Sequence, residues 1–325
     1  MLKIILFAEK KAILKGFYEY CNMNSEKGKT QLLESLENAE KLAKSGKLNR
    51  FLNKPFKYLF LQLISKLLYP IFQKGVKVTT RIPLIQTIEI ILPAGADLYL
   101  LGFKSHDSEI RLAKFLIKNI KDEDTFLDIG AHFGYYAILC SSLTSSIIIA
   151  VEASEKTYGI LQKNISFSNS NIETANFAAS DKNGSVKFYD FPVKYNEYNT
   201  LNKPAPELQK LSPEMKTVQT YSLSSWLEEK SFKPNYIKID VEGAEAKVIE
   251  GLTEFLKMNS PVLIIEYFPG KHADFYKFIW SKLVALNFQA FFIDNNGQAV
   301  LLKNPELHFK DYKHSSDNLV FKKTQ

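Results

Sequence analysis

Only two cysteines, Cys21 and Cys140, occur in 325 residues, and they fall in different regions. They can build neither a disulfide framework nor a Cys-rich metal site, and a reducing cytoplasm suits them. No apolar run approaches the roughly 20 residues of a membrane span. The opening stretch, MLKIILFAEKKAILKG, is apolar only from Ile4 to Ala8 and has no small-residue cleavage site after it, so it does not read as a signal peptide. Glycine and proline are scarce, at 14 and 12, beside 24 Phe and 16 Tyr. That balance excludes a globally disordered chain.

Acidic residues are sparse in the first quarter. Residues 1–80 carry 15 Lys/Arg against 6 Asp/Glu, and the remainder carries 27 against 29, which together give the net charge of +7. The basic character therefore belongs to the N-terminal region. A nucleic-acid enzyme with a basic groove across its whole face is not indicated, and no nucleic-acid partner is expected.

What is present is 46% hydrophobic and 24% charged residues, ordinary globular usage. Residues 1–75 read as a helical, basic region. KTQLLESLENAEKLAKSGKLNR places Leu32, Leu33, Leu36, Ala39 and Ala43 at helical spacing. PFKYLFLQLISKLLYPIFQKG, residues 55–75, is apolar over most of its circumference and must lie against something. It either packs on the rest of the chain or rests on the inner face of a membrane, with Lys54, Lys57, Lys66 and Lys74 reaching for head groups. Residues 76–121 form a lead-in of two strands and a helix. From 122 to 325 short apolar strands alternate with helices, the pattern of a parallel sheet covered on both faces. The segment 184–234 interrupts this rhythm as a hairpin with a long polar loop, of the kind that often covers a site.

In FLDIGAHFGYYAI an apolar strand ends at Asp128, Gly130 and Gly134 bracket a tight turn, and a helix opens. Glycine permits close backbone approach to a ligand, and a helix N-terminus offers free N–H groups. The next strand ends on Glu152, 24 residues after Asp128, where an acid can accept both hydroxyls of a ribose. Dinucleotide and S-adenosylmethionine sites share this pair. The turn lacks the full G-x-G-x-x-G, which weakens a nicotinamide cofactor.

FLDIGAHFGYYAI, AVEASEKTYGILQKNI, ANFAASDKNGSVKFY and YIKIDVEGAEAKVIEGL stand in the order and form of the FkbM-type S-adenosylmethionine-dependent methyltransferases. The resemblance covers about Glu123 to Phe321. It implies a class I methyltransferase (Rossmann-like) doubly wound sheet of seven strands with the last antiparallel, preceded here by the helical region. It also implies methyl transfer, usually to an oxygen of a sugar or natural product, including a lipid-linked one. By position, Asp128, Gly130, Ala131 and Gly134 would surround the cofactor's methionine part, Glu152 would hold the ribose, and Ala179, Ser180 and Asp181 would lie near the adenine. Asp240 and Glu242 would sit beside the transferred methyl. Ala153 stands where the family commonly has Pro, and Leu223-Ser224 stands where it has Leu-Asp.

Three acids crowd one corner of IDVEGAEAKVI. Asp240, at the end of an apolar strand, is expensive to bury without a purpose and reads as the working acid. Neighbouring acids should raise its pKa, which suits a base. Glu242 is either its partner or a cap, and Glu245 is most simply a first-turn helix acid. His272, following IIEYFPGK, is a further candidate for a base. No spacing demands a metal, and none is assigned. Two other readings remain open on the residues, an NAD-dependent sugar-modifying oxidoreductase and a degenerate methyltransferase domain serving as a binding module.

Overall fold

The structure is a computed structural model that describes residues 23–167, 171–204, 206–267, 273–305, 308–309 and 316–323. Its centre is an eight-stranded sheet. In chain order the strands are β3 (Phe126–Ile129), β4 (Ile148–Val151), β5 (Ile172–Ala175), β9 (Tyr236–Ile239), β10 (Val262–Tyr267), β11 (Phe288–Ile293), β12 (Ala299–Leu301) and β13 (Asp317–Lys323). Across the sheet they run β12-β11-β13-β10-β9-β3-β4-β5. β13 is inserted antiparallel between β10 and β11. Seven of these strands are those expected of a class I methyltransferase. The eighth, β12, is a three-residue edge strand that folds back on β11, too short and too exposed to leave a pattern in the sequence.

Alternation along the strands divides the core between the two faces. Phe126 of β3 and Ile148 of β4 belong to one apolar cluster, while Leu127, Ile129, Ile149 and Val151 belong to the other. The first face is covered by α6 (Asp107–Asn119), α7 (Tyr135–Ser141) and α8 (Glu155–Ser166). The second is covered by α9 (Leu223–Glu229), α10 (Glu245–Met258) and α11 (Ala273–Ala285). The turn between β9 and α10, and that between β3 and α7, open at the same edge of the sheet because β3 and β9 are parallel and in register, Asp128 opposite Lys238.

The N-terminal helices join the first cluster. α1 (Glu26–Lys44) begins at Ser25, whose hydroxyl accepts from the Gly28 amide at 3.1 Å, and buries Leu32 and Leu36. After α2 (Lys47–Asn53), α3 (Pro55–Leu63) continues through a π turn at Ile64–Leu68 into α4 (Tyr69–Phe72). Leu61, Ile64 and Tyr69 face inward and are buried. Lys54 and Lys57 also face inward. Lys54 Nζ donates to Leu100 O at 2.8 Å and Lys57 Nζ to Tyr99 O at 2.9 Å, both in α5 (Ala96–Leu101). These two lysines therefore do not reach for head groups, because uncapped carbonyls at the end of α5 hold them.

Among the side chains that fasten the hairpin of β1 (Val76–Arg81) and β2 (Thr87–Leu92) is Asn164 of α8. Its amide accepts from Glu89 N at 2.6 Å and donates to Glu89 O and Phe133 O, each at 2.8 Å. The segment after β5 forms a separate sheet in which β6 (Ala178–Ser180) pairs parallel with β8 (Glu214–Ser222), itself antiparallel to β7 (Gly184–Asp190). IETANFA thus divides between two sheets.

Candidate active site

The turn after β3 closes on itself. The amides of Gly130 and Ala131 both donate to Val151 O at 2.9 Å, and that of Gly134 donates to Ala131 O at 2.8 Å. These amides, expected to face a ligand, are used inside the protein. Gly130 is required for a different close approach. It has φ +81°, and a Cβ there would lie 1.8 Å from Asp240 O. The glycine lets the tips of β3 and β9 touch. The His132 amide, at φ +53°, donates to Glu152 Oε2 at 2.9 Å, and the Ser154 amide donates to Glu152 Oε1 at 2.9 Å. Burial pushes the Glu152 carboxyl up to about 7 against the opposing pull of these two amides.

A cavity opens above these turns. Its walls are 129–133, 151–153 and 177–179 on one side, and Lys104, Lys238 and 240–242 on the other. Asn196 and 199–201 from the insertion complete it. Of the residues singled out in the sequence, Gly130, Ala131, Glu152, Ala179, Asp240 and Glu242 meet here. Asp128, Gly134, Ser180 and Asp181 do not line it. Asp128 lies behind the turn, 1% exposed. Gly134, at φ +89°, caps α7, and a Cβ there would press the Leu161 side chain at 2.7 Å. The Ser180 hydroxyl bonds to Asp181 Oδ1 at 2.9 Å, and its carbonyl oxygen would lie 1.9 Å from a Cβ at Gly251 of α10, so its backbone is packed against that helix. His272 lies outside the described residues. Ser224, at the family's Asp position, accepts from the Phe255 amide at 3.0 Å and ties α9 to α10.

Electrostatics at the β9 tip differ from the expectation of mutually raised acids. Lys238, 1% exposed, sets its ammonium 2.8 Å from Asp240 Oδ2 and 4.0 Å from Asp128 Oδ1. Burial alone would push Asp240 up, but Lys238 and Lys104 outweigh it and hold the carboxyl well below the usual carboxylate range. Burial and the Asp240 charge push Glu266 well above that range instead. The two neighbouring acids are thus driven apart, Asp240 down by the lysines and Glu266 up by burial and the Asp240 charge. Lys104, in the cavity wall, pairs with the half-buried Glu109 at 2.9 Å. His132 is held at about 4 by burial and the Lys104 charge, so it is neutral.

The DVEG turn is fixed from below and above. Glu242 takes φ +51° and Gly243 +95°. Beneath, Glu245 is 1% exposed. Its Oε1 accepts from the amides of Val241 at 3.2 Å and Gly243 at 3.1 Å, and Tyr276 OH donates to Oε2 at 3.4 Å. Burial pushes its carboxyl up to about 7. Above, Thr200 Oγ1 donates to Glu242 O at 2.9 Å and Asn202 Nδ2 to Gly243 O at 2.6 Å. The insertion is thereby clasped onto the corner it covers.

Lys238, Lys104, Glu109 and Glu266 escaped the sequence reading. Lys238 had a signal, a charge inside the otherwise apolar strand YIKID. Glu266, in VLIIEY, had the same one. Asp240, Glu242 and Glu266 each offer a carboxylate oxygen within 4.8 Å of the others, a set with the donor type and spacing for a hard divalent cation.

A family model described as the methyltransferase FkbM domain matches residues 128–290, which is 163 of the 325 residues and so half of the chain. Hexuronic acid methyltransferase AglP of Haloferax volcanii is 26% identical over 152 residues, 46% of this chain and 59% of that protein. The chain thus matches less than two thirds of that relative's length. A methyltransferase FkbM from Methylobacillus flagellatus KT is 13% identical with a TM-score of 0.42, over 70% of this chain and 52% of that one. The O-methyltransferase from Bacillus cereus solved with SAH is 16% identical with a TM-score of 0.38, over 69% and 85% of the two chains.

Proposed function

The chain belongs to the FkbM family of methyltransferases, and we propose that it carries a methyl group from S-adenosylmethionine to a hydroxyl oxygen of a saccharide. The observation that carries this reading is that Glu152 and Asp240 face one cavity from the ends of β4 and β9. Each Glu152 oxygen accepts one backbone amide and keeps capacity for another donor, which suits the two hydroxyls of a ribose. Phe177 and Ala179 beside it offer an apolar wall suited to adenine, with Ala179 the one member of its predicted trio to line the cavity. Gly130 and Ala131 suit the methionine part by close approach rather than by donated N–H bonds. When bound, S-adenosylmethionine supplies an electrophilic methyl group on a sulfonium.

The protein's part is alignment and a proton acceptor. Lys238 keeps Asp240 ionised, so its carboxylate can accept a hydrogen bond from the acceptor hydroxyl and aim the oxygen. A weak base is sufficient here. Once the oxygen has gained the methyl group it is an oxonium, whose proton is strongly acidic, and Asp240 takes that proton late. Glu242 lines the same wall and is the second acid available to the acceptor.

The saccharide is supported by the name of the Haloferax relative, which acts on a hexuronic acid. We take residues 122–325 as the catalytic unit, 184–234 as its cover, and 23–75 and 76–121 as elements packed on it. Among the described residues no helix is long and apolar enough to cross a membrane. The setting we infer is the cytoplasm, at the inner face of a membrane, with a lipid-linked acceptor.

Calorimetry with S-adenosylmethionine, S-adenosylhomocysteine and NAD, followed by tritiated methyl transfer onto cell-envelope glycans and their lipid-linked precursors, tests the reading. Binding of the first two with label in a glycan fraction is expected. Binding of NAD alone would overturn it.

A further inference from the structure

Helices α3 and α4 bury one face and leave the other bare, and α2 buries no residue. Leu48, Leu52, Phe56, Leu59, Leu63 and Leu67 recur at every third or fourth position and are all exposed, Phe56 by 86%, and Ile71 continues the row. On an ideal α-helix each four-residue step overshoots a full turn by about 40°, so such a row should wind away from its starting face. The wider π turn at Ile64–Leu68 offsets that drift, so Leu63, Leu67 and Ile71 stay in line. Scattered exposed apolar residues are ordinary, but so many within residues 48–72 form a surface that water does not favour.

The charges around it have one sign. Between Glu40 and Glu89 the chain carries ten Lys/Arg and no acid. Lys54 and Lys57 point inward and grip the carbonyls of α5, while Lys47, Lys66 and Lys74 of the same segment are exposed. A second copy docked through this face would set one cationic segment against another, which like-charge repulsion opposes. An anionic lipid surface meets both features, because acyl chains accept the leucines and head groups accept the ammoniums.

The same helices touch the rim of the active-site cavity. α5, which Lys54 and Lys57 grip, contributes Leu98 to the cavity wall. On the other side Tyr69 OH accepts from the Lys194 amide at 3.2 Å, at the root of the segment that brings Asn196 over the cavity. We propose that residues 48–72 are an interfacial docking surface for an anionic bilayer, holding the cavity rim at the membrane where a lipid-anchored acceptor would be met. The lipid-linked acceptor is part of the functional reading above, but the docking surface rests on the exposed row and its charges alone.

The test is sedimentation of the full chain with vesicles of phosphatidylcholine and phosphatidylglycerol in equal parts, or of phosphatidylcholine alone. Binding to the anionic vesicles should exceed that to the neutral ones by roughly tenfold or more, and high salt should weaken it. The quadruple variant Phe56→Ser, Leu59→Ser, Leu63→Ser, Leu67→Ser should lose at least about tenfold in vesicle affinity, as the removal of so many buried methylenes implies. Its melting temperature and S-adenosylhomocysteine affinity should match the wild type, since these side chains are exposed and remote from Glu152. Absence of wild-type binding, equal binding by the variant, or a wild-type dimer that the variant converts to monomer would each overturn the proposal. Loss of vesicle binding with methyl transfer to a soluble glycan intact is the expected behaviour of the variant. Vesicle binding by a wild type that shows no affinity for S-adenosylmethionine would overturn the functional reading and leave the docking surface standing.

Discussion

Lys238 lies on β9 and Asp240 one residue past its end, and the Lys238 ammonium lies 2.8 Å from the Asp240 carboxylate with the lysine 1% exposed. The register partner of Lys238 on β3 is Asp128, whose carboxylate is 4.0 Å from the same ammonium. One buried cation therefore stands between two acids, Asp128 in the core, which burial pushes up, and Asp240 on the cavity wall, which the lysine pulls down.

Lys238→Met should destabilise the protein by about 3 kcal/mol or more at pH 7, because it leaves uncompensated charge in the core. Asp240 has its pKa depressed from an ordinary value of 3.8. It thus contributes stability that is present above that value and is lost as pH falls through the depressed one. The deficit of the variant is accordingly largest near neutrality and shrinks in acid, which urea melts at several pH values would measure. The acid limb of kcat/KM should also move to higher pH. An unchanged limb would remove Asp240 from the reaction.

Glu152 gives the opposite sign. Burial raises it from 4.5 to about 7, so the folded state holds more protons than the unfolded one between those values. Stability then falls as pH rises through that window, by about 3 kcal/mol at most. Ribose hydroxyls donating to the carboxylate favour its ionised form, so S-adenosylhomocysteine should bind more tightly as pH rises from about 5.5 to 8. In Glu152→Gln the affinity should be weaker and flat across the same range. Calorimetry across pH distinguishes the two proteins.

Gly130→Ala tests the contact between strand tips. The position has φ +81°, and the added methyl would meet Asp240 O, which is backbone and cannot swing aside. Left-handed strain alone costs about 1–3 kcal/mol, and the clash adds to it. A melting temperature lowered by several degrees, together with loss of turnover, is expected. Gly134→Ala should cost less in packing, since the contact there is the end of the Leu161 side chain.

The sheet was legible because strands buried on both faces read as short apolar runs, and FLDIG, IIIAVE and YIKID correspond to β3, β4 and β9. The cofactor acid was legible for the same reason, since Glu152 closes such a run. The charge network was not legible. Lys104 and Glu109 come from the lead-in, Glu266 from β10 and Lys238 from β9, so the pairing that sets the Asp240 pKa exists only after folding. The use of the Gly130 and Ala131 amides was equally hidden, because their acceptor, Val151 O, lies on the next strand. At Glu245 local sequence was enough to recognise a helix-start acid. Only the turn geometry shows that it accepts from the amides on either side of Glu242.

Glu245→Gln separates the charge of that residue from its hydrogen bonds. The amide oxygen of Gln can still accept from Val241 and Gly243, the two bonds that hold the DVEG turn. What Gln removes is a carboxyl that burial holds at about 7. In the wild type this group lowers stability as pH rises from 4.5 to about 7, so the substitution should flatten that dependence and leave the protein as stable as wild type, or more so, at pH 8. Glu245→Ala instead strands two buried amides, at about 1–3 kcal/mol each, and frees Glu242 from its strained conformation. Its turnover should fall far more than its affinity for S-adenosylhomocysteine, because Glu152 lies on a different strand. Thermal melts at pH 5, 6.5 and 8 with single-turnover assays would measure both effects. If the Gln variant proved as damaged as the Ala variant, the turn would need the negative charge itself and not only the two hydrogen bonds.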